Sequence, residues 1–133
     1  LLTYRGPEGY NLTQQDREEL PEVHRACSYQ RYQGEKLCRR YNAYSYVAIL
    51  DAFDTHDVGR GRGGTDAMLS RISCPTMVVG LTTDIIFTPA EMRSLASRIP
   101  GAEYREISSP FGHDGFLVEH GQLNDILTPF INN

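Results

Sequence analysis

The spacing of apolar residues changes near the middle of the chain. From Glu35 to about Phe53, Leu37, Tyr41, Tyr44, Ala48 and Ala52 recur three or four residues apart, which predicts one amphipathic helix. It gives way at Thr55-His56-Asp57, and Gly59-Arg60-Gly61-Arg62-Gly63-Gly64 predicts a loop. Thr65 is the expected N-cap of a short helix through Arg71. Pro75–Leu81 is then short, β-branched and nearly all apolar, as a parallel strand covered on both faces requires. Thr88-Pro89-Ala90-Glu91 reads as a capping box with Pro at the first helical position. The helix it opens is expected to reach Ile99 and stop at Pro100-Gly101. Glu103–Ile107 predicts a second strand, Ser108–Gly115 a loop, and Phe116–Ile131 a last helix. This order fits a βαβ unit with the usual right-handed crossover. Two strands cannot cover both faces of a parallel sheet, so further strands are expected from sequence outside these residues.

Residues 1–34 show no clear period. Seven of the eight tyrosines lie in residues 1–46: Tyr4, Tyr10, Tyr29, Tyr32, Tyr41, Tyr44 and Tyr46. Such a segment suits a lid or a partner surface, and it suits equally a helical layer with an aromatic face. The 133 residues fit one ordinary domain or part of a larger one. At net charge −4 the chain has no general attraction for phosphate backbones, which argues against a nucleic-acid partner. No apolar run of membrane-spanning length and no basic-then-apolar leader is present, so no membrane partner and a cytoplasmic location are expected. The first residue is Leu, and the chain is expected to begin inside a longer product. Cys27, Cys38 and Cys74 match no metal or disulfide spacing and are expected as buried free thiols.

Gly59-x-Gly61-x-x-Gly64 formally matches a dinucleotide fingerprint, but that motif needs a strand before it and a long helix after it. Here a helix precedes it, and it is expected to be only a loop. Asp84 and His113 are more informative. Each follows a predicted strand, and in open α/β sheets ligands bind beyond the carboxyl ends of strands. A carboxylate and an imidazole so placed can support a nucleophile: the carboxylate orients the ring, and the ring takes the proton. On spacing alone, a loop or capping role for Asp84 and a surface position for His113 are commoner outcomes. No serine lies in a Gly-x-Ser-x-Gly frame. His113-Asp114 and His56-Asp57 lack further ligands at a recognisable offset, so no metal site is expected. His24 and His120 are expected at the surface.

Five stretches, together and in order, resemble the C-terminal third of the homoserine O-acetyltransferase family of the α/β-hydrolase superfamily. They are Leu2-Thr3-Tyr4-Arg5, Tyr32-Gln33-Gly34-Glu35-Lys36, Asp54-Thr55-His56-Asp57 with Gly59-Arg60-Gly61-Arg62, Val78-Val79-Gly80-Leu81-Thr82-Thr83-Asp84 with Phe87 and Pro89, and Phe111-Gly112-His113-Asp114-Gly115-Phe116-Leu117. The resemblance implies that Asp84 is the acid and His113 the base of a catalytic triad. It implies that Asp114 turns toward an acceptor's ammonium group and that Tyr4 and Arg5 help hold its carboxylate. On the residues alone, Asp114 could instead tune His113 or cap the following helix. One stretch departs from the family: Arg40-Tyr41-Asn42-Ala43-Tyr44-Ser45-Tyr46 has Asn42 in place of an acid and Tyr44 in place of an Asn. That leaves two acceptors open, homoserine and deacetylcephalosporin C, the latter used by fungal members of the family.

The expected fold is therefore the C-terminal portion of an α/β-hydrolase, with residues 1–58 a helical lid-like segment and 59–133 the part of the core that carries Asp84 and His113. The implied activity is transfer of acetyl from acetyl-CoA, a co-substrate with no bound cofactor, to the hydroxyl of a small amino-acid-bearing acceptor by a Ser-His-Asp double displacement. The Ser would come from an N-terminal part not present here. A hydrolase on the same scaffold and a non-catalytic subunit of that fold are the alternatives.

Overall fold

The computed structural model describes residues 3–17 and 23–132. Leu2 of the first resembling stretch lies outside the described residues. The described residues fall into two compact units. One joins the N-terminal stretch through Leu12 to the chain from Gly59 onward, and the other is Thr13–Val58. Residues 3–12 thus pack with the part of the core expected from Gly59 on.

In the core unit, strand β1 (Met77–Leu81) pairs in parallel with strand β2 (Glu103–Ile107). The register runs from Met77 opposite Glu103 to Leu81 opposite Ile107, so both strands end level and their following loops emerge side by side. Helix α5 (Pro89–Ser97) connects them. It opens as the sequence predicts: Thr88 accepts from the Glu91 amide, and Glu91 accepts from the Thr88 amide. It ends two residues before Ile99, which is instead buried in the core. Val78, Leu81, Ala96, Ile99, Ile107 and Leu69 form that core, Leu69 coming from the short helix α4 (Thr65–Leu69). The residue before α4 is Gly64 at φ 94°, so Thr65 is the first helical residue and not the cap expected of it. The Gly59–Gly64 run is a turn closed by the Arg62 and Gly64 amides, which donate to the Gly59 carbonyl at 2.9 and 3.2 Å.

The first and last helices also differ from expectation. Residues 1–34 were aperiodic in sequence, yet Pro7–Gln14 forms helix α1, with Pro7 at its first position. The last helix, α6, spans His120–Ile131, while Gly112–Leu117 forms a separate 3₁₀ turn before it. Phe116 and Leu117 therefore belong to that turn rather than to the helix.

In the second unit, helix α2 (Arg25–Arg40) and helix α3 (Ala43–Asp54) replace the single helix expected from Glu35 to Phe53. The backbone is extended at Tyr41 and Asn42, and the Asn42 side chain accepts from the Ser45 amide at 2.8 Å. Asn competes well with the helical backbone in this way, so it starts α3 anew. The apolar spacing ran across the break because Tyr41 and Tyr44 preserve it by chance. The Asp16 carboxylate accepts from the Arg25 amide at 2.7 Å and lies 2.5 Å from His24 Nδ1, tying down the start of α2. His24 is thus exposed, as expected, but paired. Cys27, Cys38 and Cys74 are exposed, contrary to the buried thiols expected. A cysteine's preference for burial is statistical, and nothing in the spacing set its depth. No helix among the described residues is long and apolar enough to cross a membrane. A small parallel sheet with helices is consistent with the C-terminal portion of an α/β-hydrolase.

Candidate active site

Because β1 and β2 end level, the loops after Leu81 and Ile107 meet, and they bring Asp84 against His113. His113 Nδ1 lies 2.8 Å from Asp84 Oδ2. The other carboxylate oxygen accepts from the Ile86 and Phe87 amides at 2.8 and 3.0 Å. Asp84 is 4% exposed. Burial pushes its pKa up, but hydrogen bonds from His113 and from the Phe87 and Ile86 amides outweigh that and hold the carboxyl below its ordinary value. A buried, ionised carboxylate is in place to accept a proton from one imidazole nitrogen and so fix which nitrogen carries it. Nε2 of His113 makes no hydrogen bond among the described residues and is available for proton transfer.

Three rings surround the imidazole. Tyr4, Phe87 and Phe116 have centroids 5.5, 5.3 and 5.4 Å from it. Tyr4 and Phe116 meet it edge-on, a favoured aromatic geometry. The His113 side chain keeps 21% exposure, so the ring is held yet reachable.

His113 sits on the 3₁₀ turn, and the turn depends on Gly112. Gly112 has φ 61°, the left-handed region that glycine adopts without strain. A Cβ there would lie 2.4 Å from the Gly6 amide nitrogen. The N-terminal stretch packs that closely because the Gly9 amide donates to the Pro110 carbonyl at 2.9 Å and the Asp114 amide donates to the Tyr4 carbonyl at 2.8 Å.

All five residues singled out by resemblance come together here. Arg5 Nε lies 3.9 Å from Asp114 Oδ2, with both side chains largely covered. Arg5 also lines a pocket of about 360 Å³ with Thr3, Pro7, Tyr10, Asn11 and Ile85. Asp114 lies within the 3₁₀ turn, and the residue before α6 is Glu119, so the capping role considered for Asp114 is not the one it has. Sequence reasoning assigned no role to Phe87, Phe116, Thr82, Thr83 or Ser109. Thr82, Thr83, Phe87 and Phe116 lie in the stretches that carry the family resemblance, and Ser109 had only its place in the loop before His113 as a signal. Among the described residues, no group of three or more His, Cys, Asp or Glu side chains is placed to hold a metal ion.

No family model matches the chain. A homoserine O-acetyltransferase from Cyclobacterium marinum is 47% identical over 130 residues, 98% of this chain and 37% of that protein. One from Thermus thermophilus is 45% identical over 132 residues, 98% of this chain and 33% of that protein. A fungal relative, homoserine O-acetyltransferase FUB5 of Fusarium oxysporum f. sp. lycopersici, is 44% identical over 108 residues, 80% of this chain and 30% of that protein. The chain thus spans about a third of the length of the curated relatives it matches. Among solved structures, Est816, described as an N-acyl homoserine lactone degrading enzyme, is 34% identical at a TM-score of 0.49, covering 62% of this chain and 31% of that one.

Proposed function

This chain is a homologue of the homoserine O-acetyltransferases, consistent with the C-terminal part of that family, and from that we propose that the protein is an acetyl-CoA-dependent O-acetyltransferase in which His113 is the general base and Asp84 its orienting partner. The observation that carries the reading is the 2.8 Å contact between His113 Nδ1 and the buried Asp84 carboxylate at the carboxyl ends of two parallel strands. The nucleophile is a serine supplied by an N-terminal part of the same enzyme, as a separate chain or a preceding segment.

The chemistry runs in two halves. His113 Nε2 takes the serine proton as the serine oxygen attacks the thioester carbonyl of acetyl-CoA. The carbon–sulfur bond breaks, and the thiolate leaves with the proton from His113. His113 then takes the proton of the acceptor hydroxyl, whose oxygen attacks the acetyl-enzyme, and the serine oxygen leaves with that proton. Asp84 stabilises the imidazolium formed in each half. Water must be excluded from the second half, or the acetyl group is lost to hydrolysis.

The acceptor is a small alcohol with an amino-acid head, homoserine or deacetylcephalosporin C. Asp114 pairs with its ammonium, and Arg5 and Tyr4 engage its carboxylate. The pocket beside Arg5 and the closeness of Arg5 to Asp114 support opposite charges presented together, as a zwitterion needs.

The test is an acceptor screen on the complete protein with acetyl-CoA, comparing homoserine, deacetylcephalosporin C and serine. Release of free CoA should depend on one of the first two. Acetyl-ester or acetyl-CoA cleavage at a rate indifferent to every acceptor would instead identify a hydrolase and sink the transferase reading.

A further inference from the structure

We propose that Thr83 is a positioning residue that sets the geometry between Asp84 and His113, an inference that rests on the Asp84–His113 chemistry proposed above. The backbone ladder between β1 and β2 stops at Leu81 and Ile107, with one last amide, that of Thr82, donating to the Ile107 carbonyl at 3.1 Å. Beyond that point the two site loops have no ladder to hold them together. Side-chain hydroxyls take over. Thr83 Oγ1 donates to the Ser109 carbonyl at 2.6 Å and accepts from the Gly112 amide at 2.9 Å. A hydroxyl has one proton and two lone pairs, so the first bond orients it to make the second.

The placement of these bonds is what gives Thr83 its role. Thr83 directly precedes Asp84, and Gly112 directly precedes His113. The amide on the far side of His113, that of Asp114, donates to the Tyr4 carbonyl at 2.8 Å. The backbone of the base is therefore held at both flanks, once by Thr83 and once by the N-terminal stretch. Thr82 offers the internal comparison. Its hydroxyl donates to the same Ser109 carbonyl at 3.4 Å and accepts from the Ser109 amide at 3.1 Å, but it reaches nothing on the His113 turn. Ser109 is 2% exposed, so its carbonyl needs a partner whatever the chemistry. A purely structural Thr83 would serve only that carbonyl, whereas a positioning Thr83 also governs where His113 sits.

Valine keeps the shape of threonine and removes both hydrogen bonds. In the complete enzyme, Thr83→Val should lower kcat per active site about 10- to 100-fold, the cost of misplacing a catalytic group by a fraction of an ångström to an ångström. Active sites are counted by the burst of CoA released on acetylation, so unfolded molecules do not enter the figure. Both half-reactions should slow together, with each KM within about twofold of its starting value, because the substrates lose no contact. Thr83→Ser, which keeps the hydroxyl, should restore most of the rate, and Thr82→Val should cost less than Thr83→Val. The downfield proton resonance of the His113–Asp84 hydrogen bond should move in Thr83→Val and not in Thr83→Ser. Should the valine variant not fold, Thr83→Ala makes the same test without placing a methyl against the buried carbonyl. The inference is overturned if kcat per counted site is unchanged in the folded variant, or if Thr83→Ser loses as much as Thr83→Val. A parallel His113→Ala variant separates the two levels: if it stays active, the Asp84–His113 reading fails and this inference with it. If it is inactive while Thr83→Val and Thr83→Ala match the unmodified enzyme, only the role of Thr83 is lost.

Discussion

Asp84 combines two opposed influences, and their balance sets its chemistry. Burial alone would favour the neutral acid, yet the imidazole of His113 and two backbone amides stabilise the anion more. Asp84→Asn should therefore cost about 10⁴-fold in turnover, since the amide favours the wrong protonation of His113. His113→Ala should be at least as damaging and should leave no acetyl-enzyme to trap by rapid quench. The lowered folded-state pKa also gives a sign for stability. The carboxylate's contribution is present above its ordinary value of 3.8 and is lost as pH falls through the lower folded value. Thermal melts should show a gap between the unmodified protein and Asp84→Asn at neutral pH, and the gap should close in strong acid. A gap that stayed constant into strong acid would contradict the proposed balance. Asp114 makes a different prediction, because it faces Arg5 at 3.9 Å and not the His113 ring nitrogens. Asp114→Asn should raise the acceptor KM strongly while acetylation of the enzyme proceeds almost unchanged. Equal slowing of both half-reactions would mean that it tunes His113 instead.

At the scale of elements, the level ends of β1 and β2 and the 3₁₀ turn between β2 and α6 decide where the functional groups go. The turn tolerates only glycine at its first residue. Gly112→Ala should cost at least about 1–2 kcal/mol for the left-handed conformation alone, and more because the added methyl meets the Gly6 nitrogen. Urea unfolding measures the loss, and turnover should fall with it because His113 is the next residue. An alanine variant of full stability and full activity would show that the turn rearranges freely. The capping box of α5 was legible in the sequence because all of its partners lie within four residues of one another. The break between α2 and α3 was not, although its device, Asn42 capping on to the Ser45 amide, is equally local. Apolar spacing continued through it and masked it.

For the whole molecule, burial is concentrated in one place. Among the described residues, the buried apolar ones are Leu69, Val78, Leu81, Ala96, Ile99 and Ile107, all in the core unit. Neither α2 nor α3 has a buried residue, and Tyr44 and Phe53 on α3 are 89% and 74% exposed. Burial at roughly 25 cal/mol per Å² of apolar surface is the main force opposing chain entropy, and six core side chains supply little of it. The 133 residues alone should therefore show no sharp, cooperative thermal transition by circular dichroism and no acetyl transfer. A cooperative transition in the isolated chain would mean that α2 and α3 bury their apolar residues against one another or against a second copy.

What the sequence determined by itself was whatever depends on neighbours along the chain or on long matched stretches. The two strands, the start of α5, the placement of Asp84 and His113 after strands, and the resemblance that singled out Tyr4, Arg5 and Asp114 all came from that information. The tertiary structure decided what depends on residues far apart in sequence. It set the register that ends both strands level, and with it the contact between side chains 29 positions apart. It packed Gly6 and Gly9 against Pro110 and Gly112, and it used Thr83 to bridge two loops. No spacing rule encodes these, because each follows from which backbone groups remain without a ladder partner once the strands have paired. That is a property of the folded chain and not of any stretch of it.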